Sequence, residues 1–251
     1  MKKVALFIPC FVDSFYPRAA EATLGILENL GFDVTYPLSQ TCCGQPFANS
    51  GEEDETRVLA SKFIDIFSGY DYIVSPSASC VSMVKNHYQE YLPPSEKLKK
   101  VQNSIYEICE FLYDVVKIKE LNVTFAHRVG LHQSCHGLRE LELGVGSELV
   151  KPLFSKARYL LELVKGIEIV DLERPDECCG FGGTFSVNEP DISIKMGKER
   201  LQDHINAKAE YITGFDSSCL MHLEGIAKYE KYPVKIVHIA EILSGMADES
   251  S

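Results

Sequence analysis

Cys42-Cys43-Gly44-Gln45-Pro46 and Cys178-Cys179-Gly180-Phe181-Gly182-Gly183-Thr184 decide how this chain is read. A doubled cysteine before glycine occurs twice, and its surroundings recur with it. Upstream of each pair a lone cysteine follows an apolar run: Val4-Ala5-Leu6-Phe7-Ile8-Pro9-Cys10, then Val129-Gly130-Leu131-His132-Gln133-Ser134-Cys135. Downstream, Tyr72-Ile73-Val74-Ser75-Pro76-Ser77-Ala78-Ser79-Cys80 matches Tyr211-Ile212-Thr213-Gly214-Phe215-Asp216-Ser217-Ser218-Cys219. Each half closes on a similar segment, Glu107-Ile108-Cys109-Glu110-Phe111-Leu112 against His238-Ile239-Ala240-Glu241-Ile242-Leu243. The steps are 32 and 37 residues in the first half (10 to 42, 43 to 80), and 43 and 40 in the second (135 to 178, 179 to 219). Eight of the nine cysteines belong to this pattern; the ninth, Cys109, aligns with Ala240 and is assigned to packing. One doubled cysteine can arise by chance, but two with matching flanks mean a duplication. The expected repeats are 1–122 and 123–251, with the boundary near Leu121–His127.

Within each half the local patterns alternate. Lys3–Ile8 is a short β-rich run, and Pro17–Leu30 carries apolar residues at helical spacing up to Gly31. Phe32–Tyr36 reads as a second strand leading into Cys42. Glu53–Phe67 reads as a helix whose acidic first turn suits the macrodipole. Asp71–Val74 is a third strand, followed by Cys80 and a helix to about Tyr88. The second half repeats this with strands at Arg128–Leu131, Gly166–Asp171, Glu210–Thr213 and Val234–Val237, and a helix at Ile192–Asn206. Alternating strands and helices predict an α/β fold in which each repeat is a small, mostly parallel sheet flanked by helices. Leu92–Lys100, with Pro93-Pro94 and several charges, reads as a loop rather than a domain boundary.

Composition narrows the function. The 251 residues are 45% hydrophobic and 24% charged, enough for a sizeable core. With 25 basic and 36 acidic residues the net charge is −11, which argues against nucleic acid or an anionic membrane as partner. No apolar stretch approaches the roughly 18 residues of a membrane span. The apolar run Val4–Pro9 is too short for a signal peptide, so the N-terminus reads as the first strand of a cytoplasmic protein. An odd number of cysteines in a long chain is a poor disulfide scaffold. In a reducing compartment such cysteines are packing, metal ligands or redox groups.

Each key cysteine follows the carboxyl end of an expected strand, where open parallel sheets build their ligand sites. Four thiolates per half suit a soft metal centre, either zinc or an iron–sulfur cluster. Adjacent cysteines project differently and are awkward around one tetrahedral zinc, whereas a cluster with several irons accepts both. The glycines after Cys179 add backbone N–H groups able to face sulfide and thiolate, and Gly44-Gln45-Pro46 offers fewer. A phosphate loop lacks both the Gly-x-Gly-x-x-Gly spacing and a following Lys-Ser/Thr. A cycling Cys-Cys pair, the third reading, lacks a Cys-x-x-Cys. His136, His132 and His222 lie near the cysteines and suit metal ligation or proton transfer, although each taken singly is more simply a partly exposed surface histidine. Arg139 suits a substrate carboxylate, a partner subunit or merely a helix surface. Met83, Phe63 and Phe67 read as core, and Glu52-Glu53-Asp54-Glu55 as a solvated helix start.

The duplicated pattern resembles the cysteine-rich CCG domain family, which includes the cysteine-rich subunit of heterodisulfide reductase and the iron–sulfur subunits of glycolate oxidase and anaerobic glycerol-3-phosphate dehydrogenase. More narrowly, Cys42-Cys43-Gly44-Gln45-Pro46 with Asn49-Ser50-Gly51, Cys178 through Val187, and Val237-His238-Ile239-Ala240-Glu241 resemble the lactate utilisation protein A family over nearly the full length. That resemblance implies an iron–sulfur subunit of a cytoplasmic complex oxidising L-lactate to pyruvate, beside a ferredoxin-like iron–sulfur subunit and a third small subunit. The implied ligands are Cys10, Cys42, Cys43 and Cys80, and Cys135, Cys178, Cys179 and Cys219. They would hold a 4Fe-4S cluster in one or both repeats, with zinc as the alternative in one. Glycolate and glycerol-3-phosphate stay open as substrates, and so does a zinc-stabilised scaffold. In heterodisulfide reductase each repeat ends in Cys-x-x-Cys, and five cysteines hold a noncubane cluster. Here Ser77 and Asp216 stand in place of the first of those cysteines, so a four-thiolate centre is expected. Asp216 is left either to ligate metal or to cap the helix carrying Cys219.

Overall fold

The computed structural model describes residues 2–247. Its strands are β1 (Lys3–Leu6), β2 (Asp33–Thr35), β3 (Tyr72–Ser75) and β4 (Ile105–Glu107), then β5 (Arg128–His132), β6 (Glu168–Ile169), β7 (Tyr211–Gly214) and β8 (Lys235–His238). They form two four-stranded sheets of order β2-β1-β3-β4 and β6-β5-β7-β8, and every pairing is parallel. In the first sheet Val4 pairs with Val34 on one side and Tyr72 on the other; in the second Val129 pairs with Ile169 and Tyr211. The central strands are apolar at consecutive positions because both faces are covered: Val4, Ala5, Ile73 and Val74 are buried, whereas edge strand β2 is largely exposed.

The helices follow from local signals. α1 (Cys10–Phe15) is short, and α2 (Pro17–Asn29) opens on proline and buries Ala19, Ala22, Thr23, Ile26 and Leu27 along one face. α3 (Glu53–Phe67) has the expected acidic first turn and buries Thr56, Ala60, Phe63, Ile64 and Phe67. α4 (Ala78–Ser82) carries Cys80 and runs on as a π-helical turn, Met83–His87. Of the expected loop Leu92–Lys100, only Leu92–Ser95 is irregular, and Glu96 onward is helical. Ser95 caps a helix, α5 (Glu96–Ser104), by accepting from Leu98 N at 3.1 Å, so Pro93-Pro94 marks a helix entrance. β4 leads into α6 (Ile108–Glu110), which continues as a π-helical turn to Val116. In the second half α7 (Lys156–Glu162), α8 (Pro190–Asn206), α9 (Ser217–Glu230) and α10 (Ile239–Ser244) take the corresponding places.

The halves close on one another reciprocally. α10 packs on α2 while α6 packs on α7; α1 packs on α9 while α4 packs on the π-helical turn His136–Glu140. A single main core includes Val4, Phe67 and Leu112 of the first half with Phe125, Leu160 and Ile239 of the second. Polar bonds seal the seam. Arg18 Nε meets Glu241 Oε2 at 3.0 Å, and Tyr16 donates to Glu224 at 2.9 Å. Buried His238 accepts from Ala240 N through Nδ1 at 3.2 Å, so its Nε2–H donates to Pro76 O, 3.0 Å away.

A fragment of residues 1–122 leaves the apolar face of α2 uncovered, so it should aggregate or melt without a cooperative transition; a monomeric fragment with a sigmoidal thermal melt would refute this. A second expectation concerns Glu107. Fully buried, it caps α6 by accepting from Cys109 N at 2.6 Å and Glu110 N at 3.3 Å, and its Oε1 has no hydrogen-bond partner among the described residues. Burial pushes its carboxyl from 4.5 up to about 8. The folded protein therefore keeps a proton there that the unfolded chain releases, and this group's contribution to stability falls as pH rises from about 4.5 to 8. Glu107→Gln keeps the accepting carbonyl without the acid. Its Tm relative to the parent should rise between pH 5 and pH 8, and a pH-independent difference would contradict this assignment.

Candidate metal centres

Both sheets order their strands so that the chain leaves β1 (or β5) in one direction and returns across it to β3 (or β7). The loops beyond those two neighbouring strands diverge and open a crevice at their carboxyl ends. The cysteines stand there. Cys10 begins α1 after β1, Cys42 and Cys43 lie in the loop after β2, and Cys80 lies in α4 after β3. Cys135 follows β5, Cys178 and Cys179 precede Gly180 in the long loop after β6, and Cys219 lies in α9. Cys10 is exposed, Cys42, Cys135 and Cys178 are half-buried, and Cys43, Cys80, Cys179 and Cys219 are buried; all are free thiols. Each site is thus reached from solvent along one side and walled by protein on the other. Cys109 is buried apart from both, in the packing role expected of it.

In the first site Cys10 Sγ and Cys42 Sγ are 3.8 Å apart, and Cys43 touches both Cys42 and Cys80. In the second, Cys178 is in contact with Cys135, and Cys179 with Cys178 and Cys219. The glycine after each pair turns the backbone at φ +90°, which aims its N–H back at the first sulfur: Gly44 N to Cys42 Sγ 3.4 Å, Gly180 N to Cys178 Sγ 3.3 Å. A Cβ on Gly180 would fall 2.6 Å from Ser193 O, so both conformation and space require glycine there. Phe181 N adds a second donor, 3.5 Å from Cys179 Sγ.

These contacts polarise the thiols. Donation from Cys10 and Cys43, with the Gly44 N–H, draws Cys42 down to about 3 against the cost of burial. Cys135, Cys179 and the Gly180 N–H draw Cys178 down to about 2. The donors move the other way: Cys10 and Cys43 are pushed up by bonding to Cys42 and by burial, and Cys135 and Cys179 behave alike around Cys178. The N–H groups and neighbouring thiols thus favour negative charge on Cys42 and Cys178. A cationic metal or cluster would favour ionising the rest, which is the donor set of a soft metal centre.

Asp216 is a cap and not a ligand. Its Oδ1 accepts from Ser218 N at 3.2 Å and Ser218 Oγ at 2.6 Å, and its Oδ2 accepts from Ser79 N at 2.7 Å, in the other half. Ser77, its counterpart, makes no such cap. His136 Nε2 accepts from Gln45 Nε2 of the other half at 3.1 Å, and Arg139 makes a local pair with Glu148 at 2.9 Å. His222 is half-buried and lies 3.3 Å from Ser193 O.

His132 departs from the expectation of a partly exposed histidine. It is 2% exposed, and burial, with the Arg200 guanidinium nearby, lowers it to about 3, so the ring is neutral at ordinary pH. One of its ring nitrogens, Cys179 Sγ and Cys219 Sγ lie within 4.8 Å of one another. Neither ring nitrogen has a hydrogen-bond partner among the described residues, and leaving a buried polar atom unpaired costs about 1–3 kcal/mol. Arg200 and His204, also buried, carry no local signal in the sequence. Arg200 bonds to Arg174 O and lies 3.3 Å from Asp203, whose carboxylate accepts from Glu173 N and Arg174 N at 3.0 and 3.1 Å. Together they hold the loop that delivers Cys178. Comparing the repeats position by position exposes all three, because their counterparts in the first half are phenylalanines.

Comparison with known proteins agrees with this architecture. The cysteine-rich domain model (CCG) matches residues 4–85 and again 129–224. Lactate utilization protein A of Oceanobacillus iheyensis is 42% identical over 245 residues, covering 96% of each chain. Those of a Geobacillus species and an Exiguobacterium species are 39% and 37% identical, covering 96% and 97% of this chain and 99% and 98% of theirs. Among solved structures, a hypothetical protein from Helicobacter pylori superposes with a TM-score of 0.63 at 11% identity, spanning all of this chain and 49% of that one, a likeness of fold alone. Two matches of the domain model and full-length relatives together make the chain a member of the cysteine-rich CCG domain family and, within it, of the lactate utilization protein A family.

Proposed function

We propose that this chain is the iron–sulfur electron-transfer subunit of a cytoplasmic complex that oxidises L-lactate to pyruvate. The observation that carries it is the duplicated four-thiol pocket, in a chain whose relatives are named for lactate utilization over their whole length. Cys10, Cys42, Cys43 and Cys80 would hold one 4Fe-4S cluster, and Cys135, Cys178, Cys179 and Cys219 another. Bound there, such clusters accept and pass on single electrons. Conversion of lactate to pyruvate releases two electrons and two protons, so two centres match a two-electron oxidation taken in single steps.

The rest is supplied by the chain. Gly44, Gly180 and Phe181 direct N–H groups at the sulfurs, which stabilises negative charge on them. The loops of the two sites meet. The Phe11 and Phe181 rings lie 5.8 Å apart, Gln45 donates to His136, and Thr184 bonds to Asn49 O at 3.5 Å. This gives a packed protein path from one site to the other. Lactate binding and proton removal would fall to the partners, a ferredoxin-like iron–sulfur subunit and a third small subunit. A second reading, zinc in the second repeat, draws on the His132–Cys179–Cys219 grouping.

Metal analysis separates the readings. Protein purified without oxygen should be brown, with about four irons and four sulfides per repeat. Cys42→Ser and Cys178→Ser should each remove about half of the iron and of the visible absorption near 400 nm. About one zinc per repeat without visible absorption, or full iron in both variants, would overturn the proposal.

A further inference from the structure

Beneath the two cysteine pockets the repeats differ at three matched places. In the first half Phe7, just beyond β1, packs edge-on against Phe63 and Phe67 of α3, with ring centroids 4.8 and 5.6 Å away. In the second half these places hold His132, Arg200 and His204. His132 precedes Cys135 by three residues, as Phe7 precedes Cys10. The helix register is set independently by the glycines of the cysteine loops. A Cβ on Gly44 would meet Thr56 and Leu59, and one on Gly180 would meet Ser193 and Met196. That is one constant offset of 137 (56 to 193, 59 to 196), and it carries Phe63 to Arg200 and Phe67 to His204.

A hydrophobic wedge under one site has therefore become a polar layer under the other. The layer is fitted to its surroundings: a Cβ on Gly130 would lie 2.1 Å from His204 Nδ1, so glycine in β5 makes the room. Arg200 is anchored by Arg174 O and Asp203. His132 has no such anchor. Its ring is buried, both nitrogens lack partners among the described residues, and it faces the two buried sulfurs of the second site. His204 likewise has no partner among the described residues, but its ring faces Arg200, His132 and the β5 backbone.

We infer that His132 is a metal ligand, so that the second centre has a mixed set of four thiolates and one imidazole while the first is all-thiolate. The inference rests on the iron–sulfur reading of both repeats. A neutral imidazole adds a donor to the site that Asp216, committed to capping, does not supply. It also leaves the centre one negative charge lighter than a fifth thiolate would, which makes it easier to reduce. The two centres are then chemically distinct, and nitrogen marks the second.

The test is pulsed EPR on the full-length chain, purified without oxygen and reduced with dithionite, at natural abundance and with 15N-histidine. A coupling of directly bound imidazole nitrogen should appear, change with the isotope, and vanish in His132→Phe, the residue that Phe7 shows this fold accepts. The signal of the first centre should be unchanged. Should His132→Phe fail to fold by circular dichroism, the doubly substituted His136→Ala, His222→Ala chain takes its place, and there the coupling must persist. Iron in both repeats with no histidine nitrogen coupling, a coupling that survives His132→Phe, or one lost from the double variant would overturn the inference. Protein without iron would instead overturn the cluster reading itself, and this inference with it.

Discussion

The carboxylate of Asp216 lies between the first turns of two helices that belong to different repeats. One oxygen accepts from Ser218 N at the start of α9, and the other accepts from Ser79 N at the start of α4. The next residue in each helix is a cysteine of one of the two four-thiol sites, Cys219 or Cys80. A buried carboxylate on two helix N-termini satisfies donors that would otherwise be orphaned, and it draws on the favourable dipole of both. Both sites are therefore positioned by one side chain at the seam. Around it the reciprocal packing of α10 on α2 and α6 on α7 gives neither half a complete core alone. Loops interleaved at the seam hold the two cysteine sites in a fixed relation.

Duplication supplied the frame, and divergence beneath it made the halves unequal. In the first half, aromatic rings fill the space under the cysteines and contribute burial without electrostatic consequence. In the second, Arg200, Asp203 and His204 occupy the same layer. Here the cost of burying polar groups is offset only in part, by Asp203 and the backbone of the loop before Cys178. That loop is the longer of the two, so it has more need of an internal anchor. A buried polar layer of this kind is retained where it positions something, and what it borders is the Cys178-Cys179 pair.

The α/β class and the parallel strands are legible in the chain, because buried parallel strands are continuous apolar runs and because α2, α3 and α8 carry a clear helical period. Leu92–Lys100 reads as a loop because Pro93-Pro94 looks like a break, and only the Ser95 cap turns it into an entrance. β4 and α7 leave no local signature, being three and seven residues long and held by tertiary contacts rather than by pattern. The eight site cysteines stand out because a Cys-Cys-Gly unit repeated with its flanks is recognisable at any distance along the chain.

The order and doubling of the cysteines, the glycine after each pair, and therefore the repeat itself belong to the sequence, because each is a local covalent fact. Which groups face the sulfurs belongs to the fold. His132 resembles any surface histidine until the fold buries it beside Arg200, Cys179 and Cys219, Asp216 stands equally for ligand or cap until Ser79 of the other repeat comes within 2.7 Å, and His136 finds Gln45 only when the loops meet. Burial, and hydrogen bonds such as those of Asp216 with Ser79 and of His136 with Gln45, depend on how the two halves dock, and no local pattern encodes that docking.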